Sequence, residues 1–267
     1  ELAPNTEEPW RARGDAYAGA QQWEKAVGDW TKAIFLAPQN TSLRTNRARA
    51  YVTLGQWDGA AADFAKLTEL EAQAFRHWRA LATVYLQAGD VEAYSKTCQN
   101  ALPHLTKANM WVQARLVQLG SLAPRAGIDP GVLTDLANKA ISQSSHHEME
   151  LAKAMDDYRC GRFEEAVSGL PEGGNLLIRP LAHFFRAMTL HRLGHTEQAQ
   201  ESFAQGVLEI ERGVPTIEGP PLHEDLPDRG IVWCMLDVVR REAADLLAGP
   251  AEAPVPEAKA GLSPKAE

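Results

Sequence analysis

The sequence predicts an all-α fold, a continuous solenoid of about six helix pairs with one more helix capping its C-terminal end. Three observations carry that expectation. First, residues recur at a fixed interval: Leu2, Ala3 and Pro4 return 34 positions later as Leu36, Ala37 and Pro38. Second, leucine, alanine and tryptophan dominate the apolar set, and runs of β-branched residues with strand-like alternation are scarce. Third, prolines and helix-capping residues punctuate the chain between amphipathic stretches.

The period organises the first hundred residues. Trp10, Gly14, Tyr17, Ala26, Trp30, Ala33 and Pro38 mark one unit. One period on, Tyr51, Ala60 and Phe64 take the places of Tyr17, Ala26 and Trp30, and Trp57 repeats Trp23. Two periods on, Trp78 and Tyr85 repeat Trp10 and Tyr17. A helix pair can bury its apolar stripe only against a neighbour, so the aromatic positions need small residues where the next helix approaches. Asn40, Thr41 and Ser42 after Pro38 are N-cap candidates.

Downstream the pattern is looser. Two helices are expected between 108 and 144, the second opened by Asp129 as cap and Pro130 at the first helical position. Gly161, Phe163 and Ala166 stand where Gly55, Trp57 and Ala60 stood, and Ala187, Gly194, Ala199 and Phe203 mark a further unit. The stretch 228–248 is one more amphipathic helix, with Ile231, Trp233, Leu236, Val239, Ala243 and Leu247 placed to cover the end of the stack.

The residue types and spacing resemble the tetratricopeptide repeat (TPR), a helix–turn–helix unit of this length. The resemblance is specific over 7–102 and 150–208 and architectural elsewhere, and it implies a right-handed solenoid. The division expected is the end of a preceding repeat at 1–5; repeats over 6–212, regular at 7–102, degenerate at 103–149 and TPR-like at 150–212; a proline-rich loop at 213–227; a capping helix at 228–248; and a disordered tail at 249–267. The region 75–247 also resembles the C-terminal repeats of large multidomain bacterial proteins of the planctomycete type, where such repeats often follow a kinase domain or a β-propeller.

Composition narrows the function. A net charge of −8 opposes the broad positive footprint that nucleic-acid binding needs. No apolar run approaches the roughly 18 residues of a membrane-spanning helix, so direct membrane insertion is not expected. Cys98, Cys160 and Cys234 are widely spaced and read as thiols of a reducing compartment such as the cytoplasm.

Residue clusters with chemical potential each have a simpler reading. His146, His147, Glu148 and Glu150 are metal-ligand types, yet adjacent histidines point apart on a helix, and a helix start is expected there. His191 and His195 have the i, i+4 interval but straddle the turn glycine Gly194. Asp156 and Asp157 diverge by about 100° on a helix and are expected on a solvated face. No nucleophile–base–orienter set emerges, so no enzyme activity, cofactor or metal is expected.

The TPR resemblance implies that the first helix of each unit lines a concave face. Carried over, it puts Arg11, Asp15, Thr45, Asn46, Arg49, Arg76 and Arg79 there. Arginines match carboxylates by bidentate hydrogen bonds, so an acidic peptide segment is the ligand class. A subset of these repeats clamps a C-terminal carboxylate through five positions. Arg11, Asn46 and Arg76 fall at three of them, whereas Asp15 and Ala80 depart from the pattern. Leu181, Phe184 and Met188 form a second apolar face at helical spacing, expected to be core that seats the closing helix, with a site for a partner's amphipathic helix as the alternative. The function expected is a noncatalytic protein-interaction module or assembly scaffold. Its alternatives are a regulatory or targeting appendage of a kinase or β-propeller protein, and a structural subunit of an assembly.

Overall fold

The computed structural model describes residues 6–213 and 229–249, and among these it is helical with no strand. In chain order the helices are α1 (Glu8–Gly19), α2 (Trp23–Leu36), α3 (Thr41–Thr53), α4 (Trp57–Leu70), α5 (Phe75–Gln87), α6 (Val91–Leu105) and α7 (Met110–Ser121). Then come α8 (Pro130–Gln143), α9 (His147–Arg159), α10 (Phe163–Gly169), α11 (Ile178–Arg192), α12 (Thr196–Gly213) and α13 (Arg229–Ala248). Each helix from α1 to α12 packs on the next, giving six consecutive pairs. The all-α solenoid is therefore as the period predicts. The expectations for residues 1–5, the proline-rich segment and the tail lie outside the described residues.

Local chemistry sets the helix boundaries. Asn40 caps α3 by accepting from the Ser42 and Leu43 amides at 3.1 and 3.2 Å. Asp90, Asn109 and Asp129 do the same for α6, α7 and α8. The turns inside the pairs use a left-handed residue, Gly55 at φ +67° and Gly89 at φ +78°. In the first pair that register position is Gln21, held at φ +57°.

Packing follows the small-against-large rule. A Cβ on Gly14 would stand 2.8 Å from the Trp30 indole, so α1 approaches α2 through a position that admits no side chain. In later pairs the same register reads Ala48 with Phe64, then Ala82 with Cys98. From the first pair to the second the large partner shrinks and the small one grows; in the third the large one shrinks again against an unchanged alanine. Ala26, Trp30, Ala33, Ile34, Leu43 and Ala50 form a core of their own at the N-terminal end, and the other pairs share one continuous core.

Two arginine–aspartate forks repeat with the period. Arg13 donates to Asp29 at 2.5 and 2.7 Å, and Arg47 donates to Asp63 at 2.7 Å through both nitrogens. The Arg13 side chain is 42% exposed, whereas Arg47 is only 15% and Asp63 2% exposed. In the third pair both partners are replaced together, by Leu81 and Thr97.

The C-terminal helix caps the last pair, packing on α11 and α12, and also runs back onto α5 and α3. Its first three turns are buried nearly all round, through Ile231, Val232, Cys234, Met235, Leu236 and Val239. Polar clasps hold it. Gln87 Nε2 donates to the Cys234 carbonyl at 2.9 Å, and Gln87 Oε1 accepts from Arg241 at 2.9 Å. Arg159 donates to the Ser121 and Leu122 carbonyls at 2.9 and 3.0 Å and to Glu242 at 2.7 Å, joining α7, α9 and α13.

Three measurements test these features. Arg47→Ala, which leaves the buried Asp63 carboxylate with only the longer Arg44 contact at 3.4 Å, lowers the unfolding free energy by about 3 kcal/mol in urea. Arg47→Leu combined with Asp63→Thr, the third pair's solution, stays within about 1 kcal/mol of wild type. Gln21→Gly relieves a left-handed non-glycine residue and raises stability by about 0.5–1 kcal/mol, read as a higher Tm. Burial pushes the Cys98 and Cys234 thiols up to about 12, while Cys160 is half-buried beside a cleft of ≈ 440 Å³. Ellman's reagent at pH 8 therefore labels one thiol quickly, and Cys160→Ser removes that fast phase.

Candidate functional site: the groove of the first helices

The face that receives α13 is formed by α3, α5 and α11. On α3, the Gly230 position of α13 comes against Val52, and on α5 its contact is Gln87; both belong to the last turn of their helix. The expected ligand-contacting residues Thr45, Asn46, Arg76 and Arg79 belong to the first two turns of the same helices. The candidate groove is thus occupied by the chain's own helix along one side.

The period places the candidates in common registers. Arg11, Thr45 and Arg79 are equivalent, as are Asp15 and Arg49. Arg11 is exposed on α1. Asp15 accepts a hydrogen bond from Trp30 Nε1 at 2.9 Å, so it also anchors the indole that fills the Gly14 position. The Thr45 hydroxyl donates back to the Thr41 carbonyl at 2.8 Å. Arg76 is exposed and pairs with Glu71, and Arg49 and Arg79 each have a partner. The Glu71 carboxyl is held below the usual range by hydrogen bonds from His77 and Thr41 and by the charge on Arg76. Arg49, Arg76 and Arg79 are therefore engaged within the fold, whereas Arg11 is exposed.

Leu181, Phe184 and Met188 are fully buried and form core rather than an open groove. Phe184 meets Phe203 on α12 at 5.6 Å, and a Cβ on Gly206 would lie 2.7 Å from its ring. Helical spacing identifies an apolar stripe but not which helix covers it, and α12 covers this one.

Asp156 and Asp157 are also not on a solvated face. Both are buried. Thr134 and Arg162 each donate to Asp156 at 2.8 Å, and Arg162 Nε donates to Asp157 at 2.6 Å. Burial raises the Asp156 carboxyl, against the pull of Thr134 and Arg162. The cluster ties α8 to α9 and the turn after it.

His146 caps α9 through Nδ1, which accepts from the Glu148 amide at 3.3 Å, and its ring meets Trp111 edge-on at 4.8 Å. Among the described residues no group of three or more His, Cys, Asp or Glu is arranged to hold a metal, and no helix is long and apolar enough to cross a membrane. The paired forks recur at a spacing visible in the sequence, whereas Gln87, Arg159 and Glu242 meet partners 37 to 154 residues away and leave no local signal.

Comparison with known proteins agrees with this architecture. The tetratricopeptide repeat pattern matches residues 41–62 and 180–205. A tetratricopeptide repeat protein from Parabacteroides merdae superposes with a TM-score of 0.56 at 13% identity, covering 91% of this chain and 84% of that one. PilF of Pseudomonas aeruginosa aligns with a TM-score of 0.46 at 13% identity, covering 77% of this chain and 95% of that one. No curated protein sequence matches. The chain is an all-α solenoid, with the tetratricopeptide repeat pattern at residues 41–62 and 180–205.

Proposed function

We propose that this chain is a noncatalytic protein-interaction module or assembly scaffold, working in the cytoplasm, that holds a peptide or partner segment on the concave face of its solenoid. The observation that carries the reading is the seat of α13. The face made by α3, α5 and α11 already buries a helix through Ile231, Met235, Leu236 and Val239, so it has the shape and apolar lining that helix-in-groove recognition requires. Because the packed pairs fix that surface beforehand, a ligand binds it at little cost in reorganisation.

The first turns of α1, α3 and α5 supply the polarity. Arg11 and Arg76 are exposed there, with Asp15, Thr45, Asn46, Arg49 and Arg79 around them in the repeat registers. Guanidinium groups favour a carboxylate-bearing segment, whereas the net charge of −8 disfavours nucleic acid. The resemblance to planctomycete-type repeat regions adds the context of a larger bacterial protein, in which the module would be a regulatory or targeting appendage.

The test is fluorescence anisotropy with a labelled peptide that ends in several Asp and Glu residues and a free carboxylate. Wild type binds it, binding weakens with added salt, and Arg11→Glu with Arg76→Ala weakens it by about tenfold or more. Equal binding by the variant, or none by wild type, would sink the acidic-ligand reading.

A further inference from the structure

The 34-residue register shows a groove that is filled in one repeat and empty in the next. Between α2, α3 and α4, Arg47 donates to Thr31 Oγ1 at 2.9 Å on one side and to Asp63 at 2.7 Å on the other. Arg44 adds a second cation at 3.4 Å from Asp63, and the Tyr51 ring lies 5.8 Å from the Arg47 guanidinium. One period on, Thr31, Arg44, Arg47, Tyr51 and Asp63 become Ala65, Trp78, Leu81, Tyr85 and Thr97. All five of these replacements line a cleft of ≈ 780 Å³ between α4, α5 and α6.

Every bridging polar group of the filled groove is lost at once. What replaces them is apolar or aromatic, apart from Thr97, whose hydroxyl donates to the Ala93 carbonyl within its own helix at 2.8 Å. The Trp78 indole is fixed by its Nε1 donating to the Ala72 carbonyl at 2.8 Å and by stacking on His104 at 5.7 Å. The cleft is thus a rigid apolar slot with a charged rim of Glu69 and Lys96. It lies on the second helices α4 and α6, which are not among the helices that α13 packs against.

The same surface of the chain carries a matching knob. Phe35 on α2 is 85% exposed, the most exposed of the large hydrophobic residues described. It precedes Glu69 by one period, so it occupies on α2 the register that rims the cleft on α4. Leu36 beside it is also exposed, and Lys32 lies exposed one turn earlier. Lys32, now over the Trp10 ring at 4.3 Å, and Glu69, now accepting from Lys66 at 2.6 Å, are exposed partners of opposite charge beside the knob and the slot.

We propose that two copies of this chain associate through these second-helix faces, Phe35 of each entering the Trp78–Leu81–Tyr85 cleft of the other, with Lys32 facing Glu69. Knob and slot lie on one face of one molecule, so a two-fold axis satisfies both contacts and closes the assembly. A Phe buries about 150–250 Å². Two such insertions with their rims fall short of the roughly 1,200 Å² of a standard stable interface, so the dimer is weak and concentration-dependent.

Sedimentation velocity on the full chain tests this across roughly 1 to 200 μM, a range that brackets a weak interface. Wild type shifts from monomer to dimer. Phe35→Asp removes the knob at an exposed site and raises the dissociation constant by about tenfold or more. Leu81→Arg with Thr97→Asp rewrites the third pair as a copy of the Arg47–Asp63 fork, fills the slot and has the same effect. Circular dichroism melting confirms that each variant is folded. A wild type that stays monomeric over the whole range overturns the proposal, as does a dimer whose affinity is unchanged in Phe35→Asp.

Discussion

A pair of helices with apolar stripes on their inner faces cannot bury those stripes alone, and the need for a neighbour shapes this molecule throughout. In the first pair the tight contact is Gly14 under the Trp30 indole, where even a methyl group would clash. Such an approach fixes the angle between α1 and α2, and the second pair can then only stack in register. Where the large residue is Phe64 or Cys98 in place of Trp30, the facing residue is alanine in place of glycine. From the first pair to the second, volume is thereby kept roughly constant, as a close-packed interior demands; in the third pair Cys98 makes the site smaller.

The same need explains α13. The first helices of a solenoid present a face that no later pair covers, and α13 returns to cover it on α3, α5 and α11. Its clasps are of a different kind from its packing. Gln87 bonds to the Cys234 carbonyl and to Arg241, and Arg159 bonds to two α7 carbonyls and to Glu242. Apolar burial is non-directional and would tolerate sliding; these directional bonds set the register of α13 along the groove.

What was legible in the sequence follows from which interactions are periodic. Helix number, the caps at Asn40 and Asp129 and the small-against-large positions all recur or obey local rules, and the sequence displays them. Contacts between distant segments do not. On α13 the one-sided stripe correctly includes Ile231, Leu236, Val239 and Ala243, but Val232, Cys234 and Met235 are buried as well, while Trp233 and Leu247 are only half-buried. A helix seated in a groove is covered on more than one side, and a single-stripe reading cannot show that. Asp156 and Asp157 fail for a related reason: Arg162 reaches both carboxylates, so neighbours that diverge along the helix are joined by one side chain after it. The groove candidates on α1, α3 and α5 follow from the resemblance to tetratricopeptide repeats, which implies a common face but not the partners each arginine takes within the fold.

The forks mark where apolar packing alone is thin. The first pair has its own small core, separate from the continuous core of the rest, and α13 reaches α3 but is not packed on α1 or α2. Among the described residues that pair meets the rest of the stack chiefly through α2 against α3. Arg47 spans that interface, touching Thr31 on α2 and Asp63 on α4 from its place on α3. A buried ion pair adds little net stability over apolar residues of similar volume, but it penalises any displacement that separates its partners. From the third pair onward the continuous core supplies the cohesion, and the fork gives way to Leu81 and Thr97. The groove between α4, α5 and α6 is thereby freed from holding the stack together, which is the physical condition for a surface to serve an external contact.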